Sequence, residues 1–194
     1  QKLVKDYFGD WKSGDVQKET FETPEPVTKT NISFVDRPSS VQSVISISYP
    51  IDNKPGSPDV VKLSLLNQIL GGGGLSTRLN MNLREDKGYT YGANSSIGSS
   101  RYSAIFNAGA SVRNEVTDSA LVQFMYELNK IISEPVSDEE LELAKNSAKG
   151  SFARSLEGRG TVASFALNTE LNDLPEDYYA TYLKRVDAVT KEDL

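Results

Sequence analysis

Apolar residues recur at helical spacing over Val60, Leu63, Leu66 and Leu70, directly after Ser57-Pro58-Asp59, which supplies an N-cap and a first-turn proline. This pattern predicts a helix that stops at Gly71. Beyond Gly71 to Gly74, the i, i+4 spacing of Leu75, Leu79 and Leu83 predicts a second short helix from Leu75 to Lys87, with Gly88 as its C-terminal stop. Upstream the period changes to two. Ile32 and Phe34 alternate, and so do Val41 and Val44 to Tyr49, with Arg37-Pro38-Ser39-Ser40 between them, which predicts two strands and a turn. Downstream, Tyr89 to Ile97 and Tyr102 to Val112 read as a hairpin closed by Gly98-Ser99-Ser100-Arg101.

The remainder reads as helix. Leu121, Phe124, Met125, Leu128, Ile131 and Ile132 form one stripe that ends at Glu134-Pro135, and Ser137 with Glu140 forms a capping box for a helix carrying Leu141, Ala144, Ala148 and Phe152. Two more helical stretches are expected over Val162 to Leu171 and Pro175 to Val186. The order β-β-α-α-β-β-α-α-α predicts an α+β fold, an antiparallel sheet with helices packed on one face. No internal repeat is visible. Residues 12–30 are polar and proline-bearing without periodicity, so they read as an extended linker, with the compact domain starting near Val27. Gln1 to Trp11 resembles the end of a helix stopped at Gly9, and Thr190 to Leu194 a cap followed by one helical turn. Both ends read as cuts in a longer chain.

Composition removes several kinds of chemistry. The 194 residues contain neither cysteine nor histidine, which excludes disulfides, thiolate or imidazole metal ligands, Ser-His-Asp and Cys-His triads, and imidazole acid/base catalysis. With 21 basic against 27 acidic residues the net charge is -6, and no basic block is present to neutralise phosphates, so nucleic acid is not an expected partner. No apolar run approaches the roughly 20 residues of a membrane span. Asp138, Glu139, Glu140 and Glu142 could suggest a metal, but carboxylates in a first helical turn meet the helix dipole in solvent. Arg154 to Arg159, with Gly158 and Gly160, reads as a helix break rather than a cleft lining.

The most informative stretch runs from Leu70-Gly71-Gly72-Gly73-Gly74 through Leu75-Ser76-Thr77-Arg78-Leu79-Asn80-Met81-Asn82-Leu83-Arg84-Glu85-Asp86-Lys87 to Gly88-Tyr89-Thr90-Tyr91-Gly92-Ala93. Four consecutive glycines point to a flexible turn, to unusual backbone angles or to close approach by another chain. A phosphate cradle fits poorly, because the spacing matches neither G-x-G-x-x-G after a strand nor a P-loop with its lysine. The stretch does resemble the second half-domain of pitrilysin/insulinase-type zinc peptidases: a Gly-rich turn, a helix with S-x-R-L and N-L-R-E, then G-Y-x-Y opening a strand. The likeness extends upstream through Tyr7-Phe8-Gly9 and downstream through Ala148-Lys149-Gly150-Ser151 and Ala188-Val189-Thr190.

This resemblance implies a clamshell of two similar halves enclosing a peptide, one of them holding zinc with an inverted H-x-x-E-H helix and a downstream Glu. A chain without histidine cannot be that half. The resemblance therefore makes residues 1–26 the helix end and linker of a preceding half-domain, and residues 27–194 a non-catalytic half-domain truncated at its C-terminus. It carries no metal or catalytic residue of its own, and zinc is expected in the partner half. In this family the partner contributes an Arg and Tyr pair toward the bound peptide, where a phenol or guanidinium can stabilise the tetrahedral oxyanion. Arg84 and Tyr89 are the candidates. Tyr91 is expected on the same strand face as Tyr89, Asn82 occupies the upstream position where some members place the arginine, and Gly71 to Gly74 would form an interdomain loop. Against these roles stand plainer ones: Arg84 and Lys87 complementing a helix C-terminus, and the tyrosines packing as strand aromatics. An exposed sheet edge could take extended peptide by strand addition. The alternative from another class is a catalytically inert assembly subunit of the same fold. Likeness to exported bacterial members favours a periplasmic setting.

Overall fold

In the computed structural model the described residues are 2–12, 14, 15, 22, 25 and 27–194. The expected linker falls in large part outside them, including Thr23, Pro24 and Pro26. The chain opens with helix α1 (Lys2–Phe8), which ends as Gly9 returns its amide to the Lys5 carbonyl. Strand β1 (Gln42–Ile51) leads to α2 (Val60–Asn67), which continues as a π-helical turn through Gly72. A short α3 (Arg78–Asn80) runs into a second π-helical turn (Met81–Asp86), and strands β2 (Thr90–Ile97) and β3 (Ala104–Arg113) form the hairpin. Four helices follow: α4 (Thr117–Ser133), α5 (Asp138–Ser155), α6 (Thr161–Leu171) and α7 (Tyr182–Ala188).

The sheet is antiparallel in the order β1-β3-β2, with Gln42 opposite Arg113 and Ile51 opposite Ala104 across the first pair. Alternation decides its two faces. Along β3, Ala104, Phe106, Ala108, Ala110 and Val112 are buried, while Ile105, Asn107, Ser111 and Arg113 are exposed. The alanines leave room for helices to approach, and Leu65 and Ile69 of the first helical unit, Leu79, Leu83, Phe124 of α4, Leu141 of α5 and Val186 of α7 fill the space. Each such side chain contributes on the order of 1.5–3 kcal/mol by leaving water. This is the expected α+β arrangement, with helices on one face only. The capping box at α5 is present: Ser137 Oγ accepts from the Glu140 amide, and Glu140 Oε2 accepts from the Ser137 amide.

Several local expectations are corrected. Ile32 and Phe34 do not form a strand; residues 31–37 are irregular, both side chains are exposed, and the described sheet has three strands. Alternation sets which face a residue would prefer, but a strand also needs a partner, and no described strand lies against this one. The first helix does not stop at Gly71. An ideal Cβ there would sit 2.5 Å from the Ser95 amide nitrogen, so the glycine lets the π-helical turn pack directly on β2, and reversal waits for Gly74 at φ +89. Gly71 is buried within the described fold, while Gly72 and Gly74 are exposed. The second helix starts at Arg78 rather than at Leu75, which is exposed, and of Pro175 to Val186 only the part from Tyr182 is helical, running on to Ala188.

Candidate functional site

The face of the sheet away from the helices is uncovered among the described residues. Val44 and Ser46 of β1, Asn107, Gly109 and Ser111 of β3, and Tyr91 and Asn94 of β2 line a shallow hollow of about 510 Å³ on it. Its floor is small, polar and uncharged.

Tyr91 reaches this face because the hairpin is irregular at one place. Thr90 pairs with Val112, but the next paired residue, Ala93, lies opposite Ala110, so β2 carries one residue more than β3 across that step. Such a bulge bends the strand and redirects a side chain. Tyr91 is 90% exposed. Tyr89 behaves differently: its amide donates to the Leu83 carbonyl, closing the helix end beside Lys87 to Asn82 and Gly88 to Arg84, with Gly88 at φ +60. Committed to that cap, Tyr89 precedes the strand and rests partly buried against the core. The expectation that both tyrosines share one strand face is therefore corrected. Tyr89 lies ahead of the strand, in the helix cap, so the alternation on which that expectation stood does not reach it.

Arg84 lies in the π-helical turn just ahead, its guanidinium one-third exposed and 3.5 Å from the adjacent Glu85 carboxylate. At that distance the pair is weak, and Arg84 does not line the hollow itself. Asn82 is corrected as a peptide-facing residue. It is only 8% exposed, and its Nδ2 donates to Glu127 Oε1 at 2.6 Å and Gln123 Oε1 at 3.1 Å on α4. Its role is to tie the π-helical turn to α4, and it gives Glu127, itself buried, a hydrogen-bond donor.

Arg78, which the sequence shows only as part of S-x-R-L, proves to be a structural hub. Its Nε and Nη2 donate to the two carboxylate oxygens of Glu140 at 2.6 and 2.9 Å. The Arg78 guanidinium, with help from the Ser137 amide, holds the Glu140 carboxyl well below the usual range, at about 2. Bidentate pairing of this kind is both directional and strong.

A second cavity, also about 510 Å³, lies among α2, the β2–β3 loop, α6 and α7, lined by Phe152, Tyr178, Tyr179 and Tyr182. Among its polar side chains, Arg101 Nη1 donates to the Leu171 carbonyl and Asn168 Nδ2 to the Tyr179 hydroxyl. Zinc does not fit this chain. Imidazole and thiolate donors are missing from the sequence, and among the described residues no cluster of three carboxylates could replace them.

The chain belongs to the M16 peptidase family: the model of the family's inactive domain, "Peptidase M16 inactive domain", matches residues 1–148. Its fold is shared by the crystal structure of a peptidase M16 inactive domain from Pseudomonas fluorescens, with a TM-score of 0.71 and 25% identity over 78% of this chain and 36% of that one. A protease from Helicobacter pylori matches all of this chain and 47% of its own, with a TM-score of 0.79 at 19% identity. The periplasmic protease PqqL from Escherichia coli matches over 99% of this chain and 21% of its own, with a TM-score of 0.76 at 17% identity. None of the curated protein sequences matches. The chain thus spans well under two-thirds of the length of these structures, and among its described residues no helix is long and apolar enough to cross a membrane.

Proposed function

We propose that this chain is the substrate-contacting, zinc-free half of a zinc-dependent metalloendopeptidase, and that the open sheet face lines the chamber in which an extended peptide is held. The observation that carries this reading is Tyr91, an almost fully exposed aromatic aimed out of a bulge over a small, uncharged floor. Bulges gather beside active sites and at sheet edges, where they re-aim a side chain. Arg84 is the second contact, and both are suited to donate to a peptide carbonyl or to the oxyanion formed from it. Zinc and the H-x-x-E-H motif belong to the partner half, on the same chain or another. The name of the Escherichia coli relative supports a periplasmic setting.

The test is peptide hydrolysis by the full-length protein, or by this chain with its zinc-bearing partner, using Tyr91→Phe, Arg84→Ala and Tyr89→Phe. Loss of Tyr91 or Arg84 as an oxyanion donor is expected to lower turnover by roughly a hundredfold or more. Tyr89→Phe, whose ring rests on the core, should stay within a few fold of wild type. Unchanged turnover in all three would leave the inert assembly subunit as the better reading.

A further inference from the structure

The bulge that presents Tyr91 is held by side chains on either side of it. Thr90 Oγ1 accepts from the Gly92 amide at 3.1 Å and shares its proton between the Ser111 carbonyl at 2.7 Å and the Gly92 carbonyl at 2.9 Å. One hydroxyl thus spans the extra residue and staples it to β3. On the far side, the Ala93 amide donates to Asn80 Oδ1 at 2.9 Å. Asn80 is buried, and its Nδ2 donates to the Gly74 carbonyl at 2.7 Å and to Thr77 Oγ1 at 3.2 Å. Thr77 Oγ1 donates to the same Gly74 carbonyl at 3.0 Å. A third tie lies just upstream, where Arg113 Nη1 donates to the Gly88 carbonyl at 2.7 Å.

These bonds give the glycine run, the short α3 and G-Y-T-Y a common purpose. Gly74, turned to φ +89, offers its carbonyl to Asn80, and Asn80 uses its other end to fix the first residue after the bulge. Without Asn80 and Thr90, the amides of Ala93 and Gly92 would lose the acceptors they have here. The strand could then recover satisfaction by slipping one residue, which would reverse the face each side chain takes.

From this geometry we infer that Thr90 and Asn80 are positioning residues that lock the bulge and so fix the direction in which Tyr91 leaves the sheet. The inference rests on the reading that Tyr91 meets the bound peptide, and it concerns what aims that side chain.

The experiment uses the full-length protein with Thr90→Val, which keeps the shape and removes the hydroxyl, and Thr90→Ser, which restores it. Two readouts separate the inference from the reading beneath it. In the first, 3-fluorotyrosine is placed at position 91; the fluorine resonance should shift or broaden in Thr90→Val and return in Thr90→Ser, with the fold retained in all three by circular dichroism. A resonance identical in all three proteins overturns the inference, whatever the activity. The second is a double-mutant cycle on kcat/KM for a peptide. Thr90→Val alone should lose roughly ten- to a hundredfold, as expected for a misplaced contact, with Thr90→Ser near wild type. Thr90→Val added to Tyr91→Ala should lose nothing further. A full additional loss in the Tyr91→Ala background also overturns the inference. Wild-type activity of Tyr91→Ala itself, alongside the fluorine shift, instead removes the substrate-contact reading and leaves the positioning intact.

Discussion

Arg78→Ala is expected to lower the stability of this domain by about 1–2 kcal/mol, the order for losing charge-assisted hydrogen bonds in a partly buried ion pair. The side chain is 12% exposed and carries both donors to Glu140, so its loss leaves a carboxylate at the α5 N-terminus, 31% exposed, with only the Ser137 amide and water as donors. Lysine should recover little, since a single ammonium cannot reproduce the two-oxygen pairing. Arg78→Met with Glu140→Leu should recover part of the loss, because the charge left unpaired is removed with its partner, the remainder being the capping bond to the Ser137 amide that leucine cannot accept. Urea unfolding of the single and double variants checks this. A single variant as stable as wild type would mean that the pair is already compensated by solvent.

The same pair predicts the direction of acid sensitivity. In the folded chain the Glu140 carboxyl titrates at about 2, against an ordinary value of 4.5. Above about pH 4.5 the carboxylate is ionised in both states and its contribution is complete. As the pH falls toward 2 the unfolded chain takes up the proton first, so stability drops across that window. Glu140→Gln should be less stable at neutral pH and show a shallower decline between pH 4.5 and 2 in thermal midpoints. Equal slopes would assign the acid lability to other carboxylates.

Phe124→Ala should cost about 3–5 kcal/mol, the range for deleting a large aromatic from a packed interior. Phe124 is fully buried at the centre of α4, in the cluster shared with Leu79, Leu83 and Val112. Neighbouring side chains belong to three different elements and cannot collapse together into the vacated volume. The consequence extends to the open face: α4 also holds Asn82, which anchors the π-helical turn carrying Arg84. Denaturant midpoints measure the first effect, and Phe124→Leu, which keeps most of the volume, should lose distinctly less.

Much of the fold is legible in the chain because it depends on local periodicity and capping. The α4 helix, the Ser137 and Glu140 box, the β2–β3 hairpin and the positive φ of Gly88 each follow from residues within a few positions of one another, although of the expected α4 stripe Phe124 and Ile131 are buried while Leu121, Met125 and Ile132 are exposed. The missing histidine, read directly from the composition, already separated this chain from a zinc-bearing half. Other features needed partners distant in sequence. Ile32 and Phe34 have the alternation of a strand, yet pairing is decided by what lies beside them. Gly71 looks like a helix stop but marks where β2 presses against the helical turn. The sequence placed Asn82, Arg84, Tyr89 and Tyr91 in one short motif and could not separate their environments. One extra residue in β2 and the commitment of the Tyr89 amide to a helix cap send Tyr91 outward and Tyr89 toward the core, while hydrogen bonds from α4 claim Asn82. Side-chain direction in a strand has a period of two residues, so a single insertion, visible only once β2 and β3 are paired, turns Tyr91 to the face opposite Ala93, while Tyr89, outside the strand, follows the helix cap.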